Sequence, residues 1–294
     1  MFTRRHWRGL VAALSLATAI PLSQAGTAAA AGSYQLRPIS DPADPTFTQL
    51  LGINNQKAIA GYFGSGMVVS GTLHPNKGFV LTLPNTFTPE NYPSSAQTQV
   101  TGIDARGDTV GFYVDQAGTN HGFLDTNGAF VTADLPGTTF NQLLGLNNRG
   151  QAAGFFQDAN GEPHGYVREV DGSDLVVPIP VSTATGINDL GQVVGFTATA
   201  GFEWRNGQLT TLSFPGATNT QALGINNLGE VVGDYTDAAG TMHGFVYQHG
   251  TFQTVDAHGA TATTINGLND QGDIVGFFVD ANNNTIGLLG VPQF

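Results

Sequence analysis

A seven-residue pattern, D-x-x-G-x-x-H, occurs three times in this chain: at Asp115, Gly118 and His121, at Asp158, Gly161 and His164, and at Asp237, Gly240 and His243. An imidazole beside a carboxylate is the pair that general acid–base chemistry uses, because histidine titrates near neutral pH. Three histidines on one face also suit Zn²⁺, and aspartate oxygens suit Ca²⁺. The same residues have a plain structural job. Asp opens a hairpin turn by bonding its own backbone, Gly supplies a positive φ, and His pins the turn. His121, His164 and His243 are therefore the catalytic candidates, with Asp115, Asp158 and Asp237 as orienting or ligand-binding partners. Lys77 takes the histidine place in an earlier copy, and Asp280 begins a later one that has Asn283 and Ile286 instead of Gly and His.

Other chemistry is thinly represented. There is no nucleophile elbow, Walker loop, H-E-x-x-H or paired-cysteine motif. No EF-hand or nonapeptide calcium repeat accompanies the aspartates, so no metal or other cofactor is expected, calcium being the one cation the turns would suit. Trp204 is a candidate platform for a sugar ring. Aromatics such as Tyr62, Phe112, Phe155 and Phe277 read as packing. The stretch 64–76 is long, rich in Gly and Ser, and contains His74; long loops on rigid scaffolds often carry function.

Those turns belong to a larger repeat. G-[I/L]-[N/D] recurs at Gly52, Gly102, Gly145, Gly186, Gly224 and Gly267, with intervals of 50, 43, 41, 38 and 43 residues. A second glycine follows each time, at Gly61, Gly111, Gly154, Gly195, Gly233 and Gly276. Between residues 221 and 256 the unit reads as four short strands separated by N-N-L-G, D-A-A-G and H-G turns. Four antiparallel strands in about 40 residues is the mark of a propeller blade. The fold expected is an all-β, six-bladed β-propeller occupying residues 32–294 as one domain. The sixth copy stops after its third strand. Gly32-Ser33-Tyr34-Gln35-Leu36 resembles Gly250-Thr251-Phe252-Gln253-Thr254, so the N-terminal segment is expected to complete the last blade and hide its open edge.

Residues 1–31 read as a signal peptide. Arg4, Arg5 and Arg8 lead, an apolar run from Leu10 to Ile20 follows, and Ala29-Ala30-Ala31 precedes Gly32. The Arg4-Arg5 pair before Trp7 also fits a twin-arginine leader. The product is expected to be secreted and soluble. It has no cysteine, so packing and hydrogen bonds must hold it together. The chain has 10 basic and 22 acidic residues; losing the three leader arginines leaves 7 against 22, a net charge near −15. Such a surface repels nucleic acid and anionic lipid, and leaves cations, neutral sugars and basic partners.

The stretch from Gly224 to Gly233, Gly-Ile-Asn-Asn-Leu-Gly-Glu-Val-Val-Gly, with His243-Gly244-Phe245 downstream, resembles the bacterial extracellular repeat family named HAF. His121-Gly122-Phe123 and His164-Gly165-Tyr166 are similar, with Gly where that family often has Ala. The resemblance spans the mature chain and implies an exported repeat scaffold without assigning catalytic residues. Two functions remain open: a secreted, monomeric binding protein that presents a polar, acidic, His-containing face to a neutral or cationic ligand such as a carbohydrate, and a secreted hydrolase or lyase that uses His and Asp on an extracellular carbohydrate, ester or lactone.

Overall fold

The computed structural model describes residues 33–69 and 71–293. The expected leader, residues 1–31, lies outside the described residues. The first strand, β1 (Tyr34–Ile39), precedes blade one, which comprises β2 (Thr48–Ile53), β3 (Ala58–Phe63), β6 (Lys77–Thr82) and β7 (Thr86–Pro89). A small hairpin, β4 (Val68–Val69) and β5 (Thr72–Leu73), projects from the connection between β3 and β6. Blade two holds β8 (Gln97–Ile103), β9 (Thr109–Val114), β10 (Asn120–Thr126) and β11 (Ala129–Thr132). Blade three holds β12 (Asn141–Leu146), β13 (Ala152–Gln157), β14 (Pro163–Arg168) and β15 (Asp174–Val176). Blade four holds β16 (Thr183–Ile187), β17 (Val193–Phe196), β18 (Gly201–Arg205) and β19 (Gln208–Leu212). Blade five holds β20 (Asn219–Ile225), β21 (Val231–Thr236), β22 (Met242–Gln248) and β23 (Thr251–Val255). Blade six holds β24 (Ala262–Leu268), β25 (Ile274–Val279) and β26 (Thr285–Pro292), and β1 completes it.

The expected six-bladed propeller and its N-terminal closing strand are therefore both present. β1 runs antiparallel to β26 from Tyr34↔Pro292 to Ile39↔Gly287. Tyr34 and Leu36 pack against the core of blades five and six, and Ile39 is buried in the core beside blade one. One strand thus joins the chain's two ends and covers an edge that would otherwise stay unpaired.

Each first strand lines the axis, and its glycine is there because backbones meet. A Cβ on Gly52 would lie 3.0 Å from the Thr101 carbonyl oxygen and 3.2 Å from the Gly102 Cα. The second glycine answers a different crowding, inside its own blade. At Gly61 a Cβ would strike the Gln49 carbonyl oxygen and lie 2.8 Å from the Phe79 ring. Phe79 and its counterparts Phe123 and Phe245 can be fully buried because that side chain is missing.

Candidate functional site

The strands of each blade alternate in direction, so second-to-third turns and inter-blade loops emerge on one face. First-to-second turns emerge on the other. The D-x-x-G-x-x-H turns and the inter-blade loops meet directly. The Nδ1 of His121 lies 2.6 Å from Oδ2 of Asp134, and that of His243 lies 2.7 Å from Oδ2 of Asp256. On the other side of each ring, Nε2 faces the turn aspartate, Asp115 at 3.5 Å and Asp237 at 3.4 Å. His164 faces Asp158 at 3.4 Å through Nε2; on its Nδ1 side the inter-blade loop has Pro178 where the other two have aspartate.

The turn aspartates do two jobs. Oδ1 of Asp115 accepts the N–H groups of Ala117 and Thr119, and Asp158 and Asp237 repeat the arrangement with Asn160, Glu162, Ala239 and Thr241. The glycine of each turn has positive φ, 87° at Gly118, 82° at Gly161 and 87° at Gly240; Asn283 takes that place in blade six at 62°. Oδ2 is then turned to the histidine. The backbone N–H bond from Thr119, Glu162 or Thr241 is the largest influence holding Asp115, Asp158 and Asp237 below the ordinary aspartate range, and the facing histidine adds to it. Burial works against the charged form of His243, but the carboxylates of Asp256 and Asp237 outweigh it and raise its pKa.

Blades two and five build matched stations around these histidines. Tyr92 from the preceding inter-blade loop stacks on Tyr113 at 3.7 Å, and Tyr113 stacks on His121 at 5.0 Å. Phe214, Tyr235 and His243 repeat this at 3.6 and 5.0 Å. The hydroxyls of Tyr113 and Tyr235 bond to Thr132 and Thr254. Blade three keeps a shorter version, Phe156 stacked on His164 at 5.3 Å.

The three histidines and their turn aspartates share one face without being drawn to one point. Each histidine contacts the aspartate of its own turn, and His121 and His243 also contact one in the loop that follows. Among the described residues, no group of three or more His, Asp or Glu side chains is arranged to hold a metal ion. Lys77 begins β6 in the place of a histidine, opposite Phe63, and makes no ion pair among the described residues. The long connection behind it is tied down by His74, whose Nδ1 lies 3.4 Å from Asp44. Trp204 sits elsewhere. It pairs with Val193 and Leu209 at the end of β18 that approaches the opposite face, and it packs against the blade three–four core. It is not part of the histidine face.

A second set of side chains converges away from the histidine face, at residues the sequence pattern marks only as turns. At the opposite mouth of the axis, the second residue after each first-strand glycine links one blade to the next. Nδ2 of Asn147 donates to the Asn188 carbonyl at 3.0 Å, Asn188 to Asn226 at 2.9 Å, Asn226 to Asn269 at 3.1 Å, Asn269 to Asn54 at 3.3 Å, and Asn54 to Asp104 at 2.8 Å. A second tier uses the following residue. Asn148, Asp189, Asn227, Asp270 and Asn55 each accept, through Oδ1, the N–H of the corresponding residue one blade earlier. Blade two interrupts both tiers. The Asp104 side chain has no N–H to donate and is held by Arg106 at 2.7 Å, and the Ala105 side chain has no acceptor. The repeated N-N and N-D pairs were the available signal. Two axial cavities of about 70 Å³ each are lined by these turns and by the first strands. That is far below the roughly 300–1,000 Å³ of small-molecule pockets.

No family model and no curated protein matches the chain. Solved structures do. A structural-genomics protein assigned as a gluconolactonase aligns with TM-score 0.52 and 14% identity over 88% of this chain and 94% of its own. AofleA from Arthrobotrys oligospora, solved as an arginine-to-alanine triple mutant, gives 0.53 and 12% over 89% and 88%. The propeller domain of the Trilobed protease from Pyrococcus furiosus, described as having an open velcro topology, gives 0.52 and 9% over 83% and 93%. At these identities the likeness shows the propeller fold alone.

Proposed function

We propose that this protein is an exported binding protein, whose ligand contacts the face formed by the second-to-third turns and the inter-blade loops. One observation carries the choice of binding over catalysis. His121 and His243 each have a carboxylate against both ring nitrogens. An imidazole engaged on both sides has no free lone pair with which to take a substrate proton. What such stations offer a ligand is acceptor oxygen with net negative charge, which suits a neutral polyhydroxyl compound or a cation. The sequence resemblance to the HAF repeats and the leader-like residues 1–31 support export. The enzyme reading narrows to His164, whose Nδ1 faces no carboxylate among the described residues.

The test is a calorimetric screen of the mature protein against neutral oligosaccharides and amines, with product analysis of every mixture and of ester and lactone substrates. Binding without turnover is the expected result. Turnover that disappears in His164→Ala would establish the enzyme reading instead.

A further inference from the structure

The seam between blades one and two carries polar side chains at two positions that are apolar in the other blades. Glu90 donates its backbone N–H to the Gly78 carbonyl. The same backbone place is held by Ile39, Ala133, Val177, Leu212 and Val255 in the other blades, all buried in the core. Thr109 stands two residues before the second glycine, where the other blades have Ile59, Ala152, Val193, Val231 and Ile274, again all buried. The Thr109 hydroxyl donates to Oε1 of Glu90 at 2.7 Å. Asp125, 5% exposed, completes the cluster from β10.

Asp125 pairs directly with Thr109 across the β9–β10 ladder, and Thr109 is the residue that bonds Glu90, so the two carboxyl groups meet over one side chain. Oδ1 of Asp125 is out of solvent and meets no N–H or O–H among the described residues. Two carboxylates cannot satisfy one another, since an ionised carboxyl only accepts. The charged and titratable groups on the elements packed here are Lys77 on β6, Asp104, Arg106 and Asp108 in the turn before β9, Asp115 after it, and His121 on β10. None forms an ion pair with Glu90 or Asp125; Arg106 is spent on Asp104 and Asp108.

We propose that Glu90 and Asp125 hold one proton between them, and that this seam is the joint of the ring that loosens when the proton leaves. With the proton, one carboxyl donates to the other and the buried acceptor is satisfied. Without it, two like charges face each other in a half-buried seam with no counter-ion. Burial is the largest influence raising Glu90, to about 7, and Asp125 adds to it. The sign follows: the folded form holds a proton that the unfolded form has released, so stability is complete below about pH 4.5 and falls until about pH 7.

Hydrogen exchange at matched pH tests this, because intrinsic exchange chemistry cancels between variants. Glu90→Gln keeps the shape and always carries a donor. At pH 8 amides of β8, β9 and β10 should exchange roughly a hundredfold or more faster in the parent than in Glu90→Gln, since the carboxyl pKa rises from 4.5 to about 7 on folding and each unit of that gap is a factor of ten. At pH 4, below the unfolded pKa, the two should match. Asp125→Asn supplies an N–H in place of the shared proton and should behave like Glu90→Gln. Equal exchange of parent and Glu90→Gln at pH 8 would overturn the proposal. So would an Asp125→Asn protein that still shows the parent's pH dependence.

Discussion

At the scale of single residues, the departures from the repeat are more informative than the repeat. Asp234 stands where Tyr62, Phe112, Phe155, Phe196 and Phe277 stand in the other blades. It is buried, and one bond reaches it, from the Thr264 hydroxyl at 3.3 Å. Burial pushes its pKa up to about 7. A carboxyl whose folded pKa lies above its unfolded value near 3.9 leaves stability intact below that value. The penalty then grows until pH passes the folded pKa. Asp234→Asn should therefore be neutral at pH 4 and stabilise at pH 8 by a few kcal/mol, since each tenfold change in proton affinity between the folded and unfolded forms is worth about 1.4 kcal/mol. Urea midpoints at the two pH values measure it; equal effects at both would show that Asp234 does not titrate there. The D-x-x-G-x-x-H signature is the opposite case. Its spacing correctly named residues that touch, Asp115 with His121 and Asp237 with His243, because a turn is local. Their second partners, Asp134 and Asp256, come from loops 13 residues on, and only the blade fold brings them back.

At the scale of elements, two devices close the ring. One is β1, which supplies six residues to the edge of β26. Removing residues 32–40 uncovers that edge and strips Ile39, Leu36 and Tyr34 from two core clusters. The truncated protein should lose its cooperative melt and aggregate; a monomer with an unchanged melting temperature would show that β1 is dispensable. The other device is the double tier of Asn and Asp bonds at the opposite face, open at Ala105. An asparagine there would present an acceptor to the Asn55 N–H and extend the outer tier across blade two. Ala105→Asn should stabilise by about 0.5–1.5 kcal/mol, the worth of a hydrogen bond, read as a rise in urea midpoint; no gain would mean that water already serves that N–H. The strands, turns and closing segment were legible because the period and the glycines repeat. The blade-to-blade ties were not, because N-N-x-G describes the turn equally well whether or not Nδ2 reaches across to the next blade.

At the scale of the whole molecule, the charge groups divide by depth. Exposed turn aspartates are held low by backbone N–H bonds and falter only in strong acid. Glu90 and Asp234 are raised by burial and falter toward neutral pH. The melting temperature should therefore peak between about pH 4 and 6, and a plateau that continues unchanged to pH 8 would contradict this division. The proposed ligand face is assigned independently of both buried acids. The most direct test of its assignment is to replace His121 and His243 by alanine, singly and together, and to measure ligand affinity and melting temperature on the same samples. The account predicts that each single variant weakens binding at least severalfold while the melt moves little, because a mostly surface ion pair is worth under about 1 kcal/mol, and that the double variant abolishes binding. Affinity unchanged in the double variant, or binding lost only in proportion to stability, would contradict it and place the ligand elsewhere on the ring.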